Sequence, residues 1–168
     1  MGGLSENTIL RSRVFVFVRI PTCYNETVIS EKIAMQYFLA VKGIIRRGDG
    51  KILVLKRSGK DDHKPGVWET VGGGMDKEET PQAGLQREIL EETGLKVDVR
   101  EPFNVFTFKK DTGEFKVGIT FLREYLGGEV VLSDEHTDYR WIDPREFADM
   151  DSVPSLHEEI ARYAGSIK

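Results

Sequence analysis

The stretch Gly73–Leu95, GGMDKEETPQAGLQREILEETGL, decides how the rest of the chain is read. It follows Gly72 in a triple glycine that breaks any regular element. Thr80 is placed to cap a helix, and Pro81 suits the first helical position, where a missing N–H costs nothing. Gly94 fits the left-handed residue that ends a helix, with Leu95 packing back. At roughly 100° per residue, Glu88, Glu91 and Glu92 share one sector of that helix. Leu85 and Ile89 border the stripe on one side, Ala83 and Leu90 on the other. A solvated helix face would mix charge signs and lie opposite a single apolar face. Three carboxylates so close repel one another, and near a helix C-terminus the dipole disfavours anions. Arg87 is placed at i,i+4 from Glu91 and offsets part of this. A hard divalent cation with oxygen ligands would offset it far better. The bland alternative is an acidic, exposed helix end.

Working outward, Tyr37–Arg46 is an almost continuous apolar run, as in a strand buried on both faces. Gly48-Asp49-Gly50 is a hairpin turn signal, and Lys51–Arg57 is the return strand. Ser58–Gly66 is a polar loop, and Val67–Val71 a short strand into the glycines. After the helix, Lys96–Arg100, Asn104–Lys110, Phe115–Tyr125, Glu129–Leu132 and Tyr139–Ile142 read as strands. Asp111-Thr112-Gly113 and Gly127-Gly128 supply turns between them. Asp143-Pro144-Arg145-Glu146 and Ser155-Leu156-His157-Glu158 each open a short helix with a capping-box pattern. Residues 1–34 read as an N-terminal arm, and 35–168 as the globular domain. Within the arm, Arg13–Ile20 suits one strand, Pro21 stops it, and Thr22–Ser30 is turn-like. The arm is either a tail or edge strand of its own sheet, or it pairs with a second subunit to make a homodimer.

The chain has 168 residues, enough for one domain with a sizeable core. A net charge of −4 gives no basic face for duplex nucleic acid. It leaves small anionic ligands open, because a metal can supply local positive charge. The single cysteine, Cys23, rules out an intrachain disulfide framework and argues against a thiolate metal site. The apolar run Val14–Val18 is too short to span a bilayer. A soluble protein in the reducing cytoplasm, with no membrane partner, is the expectation.

The spacing around the helix carries more. Five residues separate Gly73 from Glu79, and seven separate Glu79 from Arg87. Arg87-Glu88-Ile89-Leu90-Glu91-Glu92-Thr93-Gly94-Leu95 follows. This resembles the Nudix box, G-x5-E-x7-R-E-U-x-E-E-x-G-U with U aliphatic, and every specified position is matched. Trp68-Glu69 ahead of the glycines also looks like the family's approach to the box, except that Val71 stands where proline is common. The segment Ser133-Asp134-Glu135-His136 to Trp141 is similar to the part that follows the central strands in many members. Coverage runs from Tyr37 to the C-terminal helix and omits the arm.

The resemblance implies an α/β fold of the α+β kind, a sandwich with a mixed sheet between helices. It implies a hydrolase that cleaves a phosphoanhydride bond in a small diphosphate, by attack of water with Mg2+ (or Mn2+) as cofactor. Glu88, Glu91, Glu92 and the carbonyl of Gly73 would hold the metal. Glu88 or Glu135 would be the general base, with Asp134 and His136 less favoured. Glu79 and Arg87 would support the site. Lys56, Arg57 and Trp68 are candidates to touch substrate; their plain alternatives are solvated strand-end charges and a core tryptophan. Subfamilies acting on ADP-ribose or dinucleoside polyphosphates tend to carry a proline or tyrosine beyond the box. Between Lys96 and Gly113 only Pro102 qualifies, so a nucleoside triphosphate, damaged ones included, is the default substrate. Three rivals stay open, of which nucleic-acid decapping is weakened by the acidic balance and the lack of an RNA-binding patch. Isomerases that share the fold pair a cysteine with a glutamate, but here only Cys23 in the arm is available. Non-catalytic nucleotide-sensing modules usually lose box glutamates, and here all are present.

Overall fold

The computed structural model describes residues 14–15, 36–60, 64–99, 101–109 and 113–167. In chain order the elements are β1 (Val14–Phe15), β2 (Gln36–Arg46), β3 (Ile52–Arg57), β4 (Trp68–Glu69), α1 (Pro81–Thr93), β5 (Pro102–Lys109), β6 (Phe115–Glu124), β7 (His136–Ile142), a 3-10 helix (Pro144–Asp149) and α2 (Pro154–Ser166). One mixed sheet runs β4-β3-β2-β6-β5, with β7 also on β3 and β1 on β2. The β2–β6 pair is parallel, from Phe38 opposite Lys116 to Arg46 opposite Glu124. The other pairs are antiparallel. Strand β3 meets β2 only at the hairpin, Ile52 opposite Arg46, and then follows β7.

Alternation along the strands sorts the core into two layers. Val41, Ile45, Leu53, Leu55 and Phe121 pack against Leu85 and Ile89 of α1. Ile44, Ile52, Val54 and Trp68 pack against Phe147 of the 3-10 helix and Leu156, Ile160 and Tyr163 of α2. The result is the expected sandwich, a mixed sheet between helices.

Helix α1 begins and ends as its sequence dictates. The Thr80 side chain accepts from the Ala83 N–H, Pro81 takes the first position, and Gly94 adopts the left-handed conformation. Its apolar border is one-sided, however. Leu85 and Ile89 are fully buried, whereas Ala83 is exposed and Leu90 is 48% exposed.

Two segments read as strands are not. Residues 96–99 and 129–132 form no ladder, yet Val97, Val99, Val130 and Leu132 pack on the α1 layer. The Val131 and Ser133 N–H groups donate to the carbonyls of Thr93 and Glu92 at the end of α1. Their apolar residues therefore report burial under a helix end. The last strand starts earlier than expected, at His136. Pro154 rather than Ser155 opens α2, after an uncapped Val153, since proline is pre-shaped for the first helical position.

Of the arm, Val14 and Phe15 pair with Tyr37 and Gln36 of β2. The rest of the Arg13–Ile20 strand, the Thr22–Ser30 turn, Cys23, and Asp111-Thr112 lie outside the described residues. Among the described residues, no helix is long and apolar enough to cross a membrane.

Candidate active site

The glycine turn is laid along β2 as an extra, irregular strand. Gly43 N–H donates to the Val71 carbonyl at 2.8 Å and Val41 N–H to the Gly73 carbonyl at 2.9 Å. Gly72 has a φ of +124°, and a Cβ there would sit 2.2 Å from the Val41 carbonyl oxygen. Gly73 is bare for a different reason: a Cβ would lie 2.5 Å from Oε2 of Glu88. The Glu88 carboxylate is thus laid against the turn. Glu92 reaches it from the next position on the same helix face and accepts the Gly72 N–H at 2.8 Å.

Both carboxylates sit in poor surroundings for a charge. Glu92 is only 5% exposed. Burial pushes its carboxyl up to about 7, against the opposing pull of Lys42 and His136. Burial also raises Glu88, although Arg87 favours its charged form.

Arg87 is the hub of the acidic face. Its Nε and Nη2 grip both oxygens of Glu79 at 2.8 and 3.1 Å. Its Nη1 donates to Glu88 at 2.9 Å and to Glu91 at 3.0 Å, and Nη2 reaches the Gly74 carbonyl at 3.1 Å. Glu79 also accepts the Asp76 N–H at 2.9 Å, which ties the loop to the helix. The Arg87 bonds hold the Glu79 carboxyl below its ordinary range.

The structure therefore brings Glu88 and Glu92 to the turn and leaves Glu91 outside, its side chain 58% exposed and paired with Arg87. Among the described residues, no three acidic or histidine side chains converge closely enough to hold a metal ion. In donor chemistry the group still fits one: Glu88, Glu91, Glu92 and the Gly73 carbonyl are all hard oxygens. Glu88 and Glu92 also carry charge that their burial opposes.

Behind the turn lies a buried polar cluster that the sequence reading passed over. Lys42 donates to Glu69 at 2.7 Å, to the Thr70 carbonyl at 3.2 Å, and to the Gly72 carbonyl. Glu69 also accepts Arg57 at 2.6 Å and lies 3.2 Å from Nε2 of His136. Burial opposes the Glu69 charge, yet Lys42, His136 and Arg57 together hold its carboxyl well below the usual range. The one signal in the sequence was a lysine inside an apolar strand, which needs a partner.

The remaining candidates divide. Arg57 faces this cluster, bonded to Glu69. Lys56 and Trp68 are not brought to the glutamates: period-two alternation turns them toward α2. Trp68 is 6% exposed there, under Lys56 and Arg140 at 5.9 and 4.6 Å from its ring. Glu135 is exposed, and its carbonyl accepts the Ser58 N–H at 2.7 Å. That bond pins its loop beside the end of β3, next to the buried His136.

Glu69 gives the protein an acid sensitivity of known sign. Its folded-state pKa is below the ordinary 4.5, so the stability it contributes is present above that value and lost as pH falls below it. Glu69→Gln should cost about 3 kcal/mol at neutral pH, since it breaks a buried charge network. Urea titrations of both proteins should show that gap closing as the pH drops below 4.5.

Residues 36–163 match the NUDIX domain model. An ADP-ribose pyrophosphatase of Methanocaldococcus jannaschii is 29% identical over 163 residues, 91% of each chain. The nucleoside triphosphatase NudI of Salmonella arizonae is 30% identical over 112 residues, 61% of this chain and 79% of its own. Among solved structures, a MutT protein from Methanosarcina mazei Go1 superposes with a TM-score of 0.70 at 27% identity, covering 77% of this chain and 93% of its own. The matched span holds the sheet from β2 onward, α1 with its glycine turn, and most of α2, and the chain belongs to the Nudix family of pyrophosphohydrolases.

Proposed function

We propose that the chain uses a divalent cation, Mg2+ or Mn2+, to hydrolyse the phosphoanhydride bond of a small nucleoside-diphosphate-linked compound. Glu88, Glu91, Glu92 and the Gly73 carbonyl hold the cation, with Glu91 released from Arg87. The observation that carries this is the placement of two carboxylates, the half-buried Glu88 and the buried Glu92, on consecutive residues of one glycine turn. A bound cation there supplies charge neutralisation of the diphosphate and a lowered pKa for a coordinated water. Glu88, whose burial strengthens it as a base, takes the proton from the attacking water. Arg87 and Glu79 keep Glu88 oriented. Glu135, on the loop before β7, is the second candidate base.

A nucleoside triphosphate is the default substrate. ADP-ribose is the second reading, favoured by a relative of that activity aligned over 91% of both chains. Residues 1–34 serve as an arm outside the catalytic domain, and a homodimer through it is part of the proposal. The test is a screen of nucleoside triphosphates and nucleoside-diphosphate sugars with Mg2+ and with EDTA, repeated on Glu91→Gln. Wild type should turn over one class only with the metal, and the variant should lose about two orders of magnitude in kcat. Equal turnover by both proteins would remove Glu91 from the site.

A further inference from the structure

Resting on the metal-dependent function proposed above, we propose that Lys42 is a positioning residue for the reaction: its ammonium, seated between Glu69 and the carbonyls of Thr70 and Gly72, fixes the glycine turn on which Glu88 and Glu92 are set. The geometry is a division of labour within β2. Carbonyls along an extended segment point alternately to opposite sides. The backbone N–H groups of Gly43 and Val41 take those of Val71 and Gly73. The Thr70 and Gly72 carbonyls are left over, and the Lys42 side chain takes both. Consecutive carbonyls from Thr70 to Gly73 are thereby held by three consecutive residues of one strand. On its other side the Gly72 peptide gives its N–H to Glu92. Lys42 and Glu92 thus fasten the carbonyl and the N–H of Gly72, between two peptides already bonded to β2.

A merely structural role explains this lysine poorly. Lys42 interrupts an otherwise apolar strand, and taking its ammonium largely out of water carries a desolvation cost that an apolar side chain would not. Glu69 has a second cation in Arg57, so Lys42 is not its only ion-pair partner. Its charge also acts on Glu92 and Glu88. Of the bonds described above, only those of Lys42 join the turn carbonyls to Glu69.

The test compares wild type with Lys42→Met and Glu69→Gln in three measurements. These are amide hydrogen exchange on the metal-free protein, Mn2+ affinity by electron paramagnetic resonance, and kcat and KM separately. For Lys42→Met the Gly72 amide should exchange about tenfold faster while the Ile89 amide in α1 does not change. Mn2+ affinity should weaken by roughly ten- to a hundredfold, and kcat should fall with little change in KM. Glu69→Gln, which spares both carbonyl bonds, should stay closer to wild type in Mn2+ affinity. Uniformly faster exchange with unchanged Mn2+ affinity would overturn the proposal, as would equal Mn2+ losses in the two variants. If Lys42→Met does not fold, Lys42→Arg replaces it. A planar guanidinium cannot place one point charge among three acceptors, so weakened Mn2+ binding is expected, and wild-type binding would overturn the proposal. Absence of Mn2+ binding by wild type would instead sink the metal-dependent function, leaving Lys42 to be judged by the Gly72 exchange.

Discussion

Glu88→Gln is expected to lower kcat by about three orders of magnitude in saturating Mg2+ without weakening the fold. The substitution keeps the length and the oxygen that accepts from Arg87, and it removes the charge and the proton-accepting strength. Burial makes Glu88 a better base than a surface carboxylate, so its loss costs more than the loss of a metal contact alone. The same burial means that the metal-free protein gains by losing the charge. Its thermal midpoint in EDTA should therefore equal or exceed that of wild type. Glu135→Gln, on an exposed loop, should cost less than about tenfold in kcat. A large loss at Glu135 with a small one at Glu88 would exchange their roles.

Gly72→Ala is expected to be the most damaging change to the fold for its size. The backbone there lies in a region that side chains rarely adopt, and the added carbon would meet a main-chain oxygen of β2 that cannot swing away. A cost of about 4 kcal/mol follows, a fall of roughly 10 °C in Tm for a domain of this size. The neighbouring glycines provide the controls. At Gly73 the obstacle is a side chain, Glu88, so alanine should spare Tm more and depress activity and metal affinity instead. At Gly74 a Cβ meets nothing within 4 Å, and alanine should be close to neutral in both measurements. Equal Tm losses at all three positions would show that the turn is not registered on β2 as described.

The parts of this molecule that could be read from sequence are those decided over short distances. The cap at Thr80, the proline at 81, the left-handed Gly94 and the i,i+4 pair of Arg87 and Glu91 all lie within a few residues of what they contact. What escaped the reading depends on distant contacts. Lys42 meets Glu69 and Gly72 across 27 and 30 positions, and no local pattern marks such a pairing. Segments 96–99 and 129–132 carry a strand-like pattern because they cover the end of α1, and burial alone imitates the signature of a ladder. For Lys56 and Trp68 only residue type is visible locally; the side of the sheet on which each falls depends on register. The acidic stripe was legible as a set of residues. The bidentate grip of Arg87 on Glu79 was not, because it forms only once the loop has folded back on the helix.

The parallel union of β2 with β6 has a further consequence during synthesis. Strand β2 is complete at Arg46, but its long partner begins only at Phe115, and the hairpin to β3 joins it at one residue pair. A nascent chain thus carries Val41, Ile44 and Ile45 on an unzipped edge while the intervening segments emerge, which makes that interval its period of greatest exposure to self-association.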